Sequence, residues 1–174
     1  TAGKSQGETF WSVPEIEQRA DGGAVIVCEF GYRPTPANAP VLREKRKVSV
    51  SAPGADGAYH MDWVQMFTAG SQAVTLDRTP LPGEPEGKGW GGYAGLSVRY
   101  SKSFTEMRTV ASTVGRVPRG EDGRLDVTAA AAEQNGVIDG KPYGIALLSH
   151  PSNPRAPGDW YPIETPGLPF YYLN

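Results

Sequence analysis

Cysteine is nearly missing from this chain: Cys28 is the single one in 174 residues. One thiol excludes an intrachain disulfide framework and any metal or iron–sulfur centre built from several cysteines. Histidine is almost as scarce, with His60 and His150 alone, so no cluster has metal-ligand spacing. No apolar run reaches the ~20 residues that a membrane-spanning helix needs. Charge of one sign is not in excess either. Lys and Arg number 17 against 19 Asp and Glu, a net charge of −2, without the basic footprint of a nucleic-acid binder. Many long helices are excluded by punctuation: glycine (22) and proline (16) make up about a fifth of the chain. That lies above the usual ~12% and below the ~25–30% that signals disorder. The expectation is a soluble, turn-rich, mostly β protein.

The first residue is Thr1, and TAGKSQGE has neither a basic nor an apolar leader region. A processed, trimmed or partial chain is therefore expected, with periplasm and cytoplasm both open.

What is present is a series of short strand patterns. Residues 25–32 (VIVCEFGY) are apolar and rich in strand formers after the Asp21-Gly22-Gly23 turn signal. Residues 45–51 alternate charged or polar side chains with Val48 and Val50. Past a Pro53–Gly57 turn, Tyr59, Met61, Trp63, Gln65 and Phe67 share one face and His60, Asp62 and Val64 the other. These two segments predict the clearest hairpin. Further strands are predicted over 73–78, 93–101, 104–114, 125–127 and 143–149, the last as a buried strand. Residues 128–134 (TAAAAEQ) carry helical propensity, in a stretch too short to stand alone. Asn135-Gly136 and Asp139-Gly140 read as turns, and 120–123 as a loop tip. No repeat or shift of composition marks a second domain. Short strands joined by turns predict an all-β, antiparallel β-sandwich in one domain over 1–174.

Three places carry candidate chemistry. The loop over 80–92 lacks the phosphate-loop pattern, since Lys88 is followed by Gly89-Trp90. It is either plain surface loop or a segment presenting Glu86 and Trp90 over a pocket. His60 and Asp62 lie at i, i+2 and can form an imidazole–carboxylate couple or simply an exposed polar stripe. The run His150-Pro151-Ser152-Asn153-Pro154-Arg155 follows a predicted strand. There His150 can move protons, Asn153 can bind hydroxyls and Arg155 can hold an oxyanion. A rigid turn with no ligand is the equal alternative. No nucleophile elbow or Cys–His setting occurs, and Cys28 reads as a small core hydrophobe.

At HPSNPR, with Trp160 beyond it, the chain resembles the PmoA-like family, labelled "methane oxygenase PmoA". The likeness extends through EGKGWGGYAGLSVR, which ends at Arg99, and DGKPYGIALLSHPSNPR. The resemblance implies a β-sandwich like the galactose-mutarotase supersandwich, in bacterial proteins of carbohydrate metabolism. It also implies a missing N-terminal part, because family members carry a His-rich HHRG segment before the region seen here.

The expected function is therefore a protein that binds or processes a sugar or glycan through loops at the end of a sandwich. Glu86 and His150 are the candidate acid–base pair, and Trp90, Arg99, Asn153, Arg155 and Trp160 the candidate substrate-binding residues. No metal or cofactor is expected, and no nucleic acid or membrane as partner; the oligomeric state stays open. The alternative is a non-catalytic glycan- or protein-binding module. A third reading, the metal-dependent oxygenase of the label, finds too few ligands here.

Overall fold

The computed structural model describes residues 7–36, 38–80, 83–87, 95–101, 103–117, 127–154, 156–160, 162 and 171–173. Among the described residues there is no helix; every element is a strand and every pairing is antiparallel. The chain divides into two compact units, Thr1–Leu76 and Asp77–Asn174.

The first unit is one five-stranded sheet. Its spine is β3 (Ala24–Arg33), whose β-branched and aromatic run suits a pleated surface. β1 (Glu8–Trp11) and β2 (Glu15–Gln18) share one edge of β3, pairing with its C-terminal and N-terminal halves in turn. On the other edge β3 pairs with β4 (Leu42–Val50), and β4 with β5 (Met61–Ala69). The β4–β5 hairpin is the one the sequence predicts. Its connection is closed by Asp56 Oδ1, which accepts from the Ala58 N–H, and by Gly57 at φ +81°.

Register assigns the faces, because side chains alternate along a strand. Leu42, Glu44, Arg46, Val48 and Val50 of β4 share a face with Phe30 and Tyr32 of β3, Trp11 of β1, and Met61, Trp63, Gln65 and Phe67 of β5. The opposite face carries Glu8, Glu15, Glu17, Arg33, Arg43, Lys45 and Lys47. On that side the Phe10 ring lies over Gly31, where an alanine Cβ would fall 2.2 Å from it. Arg33 stacks on the same ring and pairs with Glu8 at 2.8 Å.

The second unit begins with β6 (Val98–Tyr100), β7 (Thr105–Ala111), β8 (Gly115–Arg116) and β9 (Val127–Ala129). It continues with β10 (Ala131–Ile138), β11 (Lys141–Leu148), β12 (Gly158–Trp160) and β13 (Tyr171–Leu173). β11, β10, β7 and β8 form a four-stranded sheet in that order, and β12–β9 and β13–β6 are two-stranded. Tyr100, Val127, Ala129 and Trp160 of the small sheets pack with Ala111 and Ala132 of the large one. That core gives the unit a sandwich-like layering.

Several local expectations change here. Residues 131–134 are strand, not helix: β10 is central, paired on both sides, and its small Ala132 is buried against the small sheets. The Asn135-Gly136 pair lies inside β10 and makes no turn. β7 bulges opposite it, with Glu106 at φ 56°, and only a glycine fits there. The Asp139-Gly140 signal holds: both residues have positive φ in a two-residue hairpin between β10 and β11. β11 is an edge strand and mostly exposed, not buried. No strand forms over 73–78, and the strand expected over 93–101 is reduced to Val98–Tyr100 among the described residues. The loop tip at 120–123 lies outside them.

Candidate functional site

The strongest constellation lies on the apolar face of the first sheet. Glu44 is in phase with Leu42 and Val48, so the pleat turns its carboxylate into apolar surroundings, and the residue is only 2% exposed. An unpartnered carboxylate would be costly there. Four hydrogen bonds hold it. Tyr32 donates its hydroxyl to Oε2 at 2.5 Å, and Gln65 donates Nε2 to Oε1 at 3.1 Å. Arg46 donates Nε to Oε1 at 2.6 Å and Nη2 to Oε2 at 3.1 Å. The Arg46 guanidinium also lies over the Phe30 ring at 4.3 Å and the Trp63 ring at 5.3 Å, as a cation against aromatic faces.

Electrostatics follow from this packing. Burial pushes the Glu44 carboxyl up, but the bonds from Arg46, Tyr32 and Gln65 outweigh it and hold it below its ordinary value. The Tyr32 phenol is pushed up to about 12, first by burial and then by its bond to Glu44. Glu44 thus stays ionised and Tyr32 neutral near neutral pH. That pair is unsuited to proton transfer at that pH and well suited to holding side chains still. Arg46 Nη1 and Gln65 Oε1 make no hydrogen bond among the described residues; Trp63 and Phe67 stand exposed beside them, and Trp11 is exposed farther along the same face. The face offers flat rings around one donor and one acceptor.

A groove of about 240 Å³ runs near the junction of β1 and β2, lined in part by Ser12, Glu15, Cys28 and Lys45. The Cys28 thiol donates to the Ser12 carbonyl at 3.3 Å, which makes it a packing group there.

The residues singled out by sequence are distributed differently. His150 and Asn153 share one turn, closed by the Asn153 N–H donating to the His150 carbonyl at 2.9 Å. The Ser152 N–H donates to His150 Nδ1 at 3.2 Å, and the Ser152 hydroxyl lies 2.6 Å from the same nitrogen. With Nδ1 accepting from the Ser152 N–H, the neutral ring carries its proton on Nε2. Asn153 donates to Ser149 Oγ at 3.4 Å. Glu86 is exposed in a separate turn at φ 62°. Among the described residues no hydrogen bond or ion pair joins it to His150. Arg99 is exposed on β6. Trp160 is 8% exposed and donates its indole N–H to the Ala129 carbonyl at 2.7 Å, so its ring packs the core and offers no stacking face. Trp90 and Arg155 lie outside the described residues. Sequence reasoning missed Tyr32, Glu44, Arg46 and Gln65. A signal was present for Glu44 and Arg46, which fall in phase with the apolar residues of β4, and none for Tyr32 and Gln65.

Among the described residues, two buried polar atoms of the second unit, the Tyr100 hydroxyl and Gln134 Oε1, have no partner. Burial, with the Glu133 charge, pushes the Tyr100 phenol up. Among the described residues no group of His, Cys, Asp and Glu is placed to hold a metal ion.

A sequence profile for a family of unknown function (DUF6807) matches residues 4–168. The chain belongs to that family. The DUF6807 assignment corrects the expected PmoA-like membership: nothing in it links the chain to methane oxygenase, and the properties drawn from that likeness lose their support. No curated protein matches the chain, and no solved structure does. The functional reading of this DUF6807 chain therefore stands on its own side chains.

Proposed function

We propose that this protein binds a carbohydrate on the aromatic face of its first sheet, as a recognition surface and without an acid–base pair there. A sugar presents C–H faces to flat apolar partners and hydroxyls to fixed donors and acceptors. The observation that carries the reading is the Arg46–Glu44–Gln65 array set between the exposed rings of Trp63 and Phe67. The buried carboxylate locks the guanidinium and the amide, which lowers the entropy cost of presenting Arg46 Nη1 and Gln65 Oε1. Along one cross-strand row, Trp11, Phe30, Glu44 and Phe67 follow one another. At ~4.8 Å per strand the row runs about 14 Å, long enough for more than one ring of a glycan.

The turn at 149–153 favours a second surface, because Ser152 holds Nδ1 of the exposed His150 ring. Calorimetric titration with a panel of soluble oligosaccharides, with NMR to follow any turnover, separates the two. The expected result is binding without turnover, weakened at least tenfold (about 1.4 kcal/mol) by Trp63→Ala or Phe67→Ala and unchanged by His150→Ala. Loss of binding in His150→Ala alone would move the site to the turn. No binding by the folded native chain across the panel would end the carbohydrate reading.

A further inference from the structure

The edges of the two large sheets are not treated alike. The β1–β2 edge of the first sheet consists of two four-residue strands interrupted at Pro14, with Glu8, Glu15 and Glu17 along it. The β11 edge of the second unit carries Lys141 and Pro142. Short strands, charges and prolines are the devices that keep sheet edges from pairing with other chains. β5 has almost none of them. It is nine residues long (MDWVQMFTA), without proline, lysine or arginine, and Asp62 is its one charge. No described strand pairs with its outer edge.

The ladder shows which backbone groups that edge presents. The Gly70 N–H donates to the Val41 carbonyl at 2.9 Å, and the Ser51 N–H to the His60 carbonyl at 3.0 Å. In an antiparallel pair hydrogen-bonded positions alternate. Residues 60, 62, 64, 66, 68 and 70 therefore bond inward to β4 in the observed register. Met61, Trp63, Gln65, Phe67 and Ala69 point their N–H and C=O groups outward, in a row.

We infer that β5 pairs antiparallel with β5 of a second copy of this chain, about a two-fold axis through Gln65, to make one continuous sheet. The sequence of β5 is self-complementary about that residue. Gln65 faces its own copy, Trp63 faces Phe67, Met61 faces Ala69, Val64 faces Met66, and Asp62 faces Thr68. Every facing pair of outward residues can exchange two backbone hydrogen bonds, aromatic side chains meet aromatic side chains, and no like charges oppose each other. An isologous contact of this kind closes after two copies. The aromatic faces of the copies then run on as one surface; the pairing itself does not depend on that surface binding a sugar.

Light scattering coupled to gel filtration of the native chain reads the mass directly, with a dimer expected. In the Gln65→Cys variant, mild oxidation is expected to give a disulfide-linked dimer. Facing Cα atoms at a hydrogen-bonded position lie ~5.5 Å apart, within disulfide reach. The Thr68→Cys variant, whose new thiol faces Asp62, is expected to cross-link at least tenfold more slowly. Met61→Pro removes an outward N–H without touching the ladder to β4, and is expected to raise the dimer dissociation constant at least tenfold. A native chain that stays monomeric would overturn the inference. So would a dimer in which the two cysteine variants cross-link alike, which would put the contact on another surface. If Met61→Pro fails to fold, the cysteine pair still decides.

Discussion

Glu44 concentrates the energetics of the first sheet in one side chain. Replacing it with glutamine leaves the half-buried Arg46 without its counter-charge. A loss of about 2 kcal/mol in unfolding free energy is expected, as for hydrogen bonds to charged groups. Tyr32→Phe, which deletes one of four bonds, should cost about 1 kcal/mol. The pH dependence follows from the direction of the shift. The folded-state value is held below the ordinary one, so the stabilisation is complete above the unfolded value of ~4.3. It is lost as pH falls from there through the folded value. Denaturant titrations at pH 7 and pH 3 should show the native chain losing more stability on acidification than Glu44→Gln does. Equal losses would mean that Glu44 is not the titrating group. The cluster was only partly legible in the sequence. Arg46 is in phase with Val48 and Val50, and Glu44 lies just before the strand expected from residue 45, whereas Tyr32 and Gln65 lie on neighbouring strands and only register brings them to the carboxylate.

At the scale of elements, β3, β4 and β5 of the first sheet were readable because β-branched and aromatic residues alternate without competition, whereas the four-residue β1 and β2 were not. β10 was not. Its alanines favour helix by local propensity, yet β7 and β11 on either side satisfy its backbone, and the core beneath accepts only small side chains at Ala132. Tertiary pairing overrode a weak local preference. Gly136 shows the same competition. An alanine Cβ there would fall 2.6 Å from Met107 Sδ and 2.7 Å from the Thr105 carbonyl oxygen. The sulfur can swing away but the backbone oxygen cannot. Gly136→Ala should therefore destabilise by about 2 kcal/mol, within the range for overpacking. A change in the denaturation midpoint worth less than ~0.5 kcal/mol, the usual scatter of neutral surface changes, would show that the β7 bulge relaxes freely.

At the scale of the molecule, the two units meet in sequence within an exposed, irregular stretch at 70–80. Exposed backbone held by few hydrogen bonds is where proteases cut first. Brief digestion with a protease of broad specificity should cleave within 70–80 before it cuts β3, β4 or β5, and yield fragments close to the two units. Mass spectrometry of the early products checks this, and first cuts inside β4 or β5 would contradict it. Composition did not mark this division, because glycine, proline and charge are spread through both units.

The sequence alone determined the class. Frequent glycine and proline leave little room for long helices, period-two patterns favour half-buried strands, and a single cysteine excludes an intrachain disulfide framework. Only the tertiary structure decided which residues act together. Trp160 went into a core because small sheets needed a large apolar filler. The turn at 149–153 aimed the His150 ring, and three strands carried Tyr32, Glu44, Arg46 and Gln65 to one place. A chain's own pattern sets which face each side chain takes, whereas neighbours on other strands come from register, a property of pairs of segments far apart in the chain.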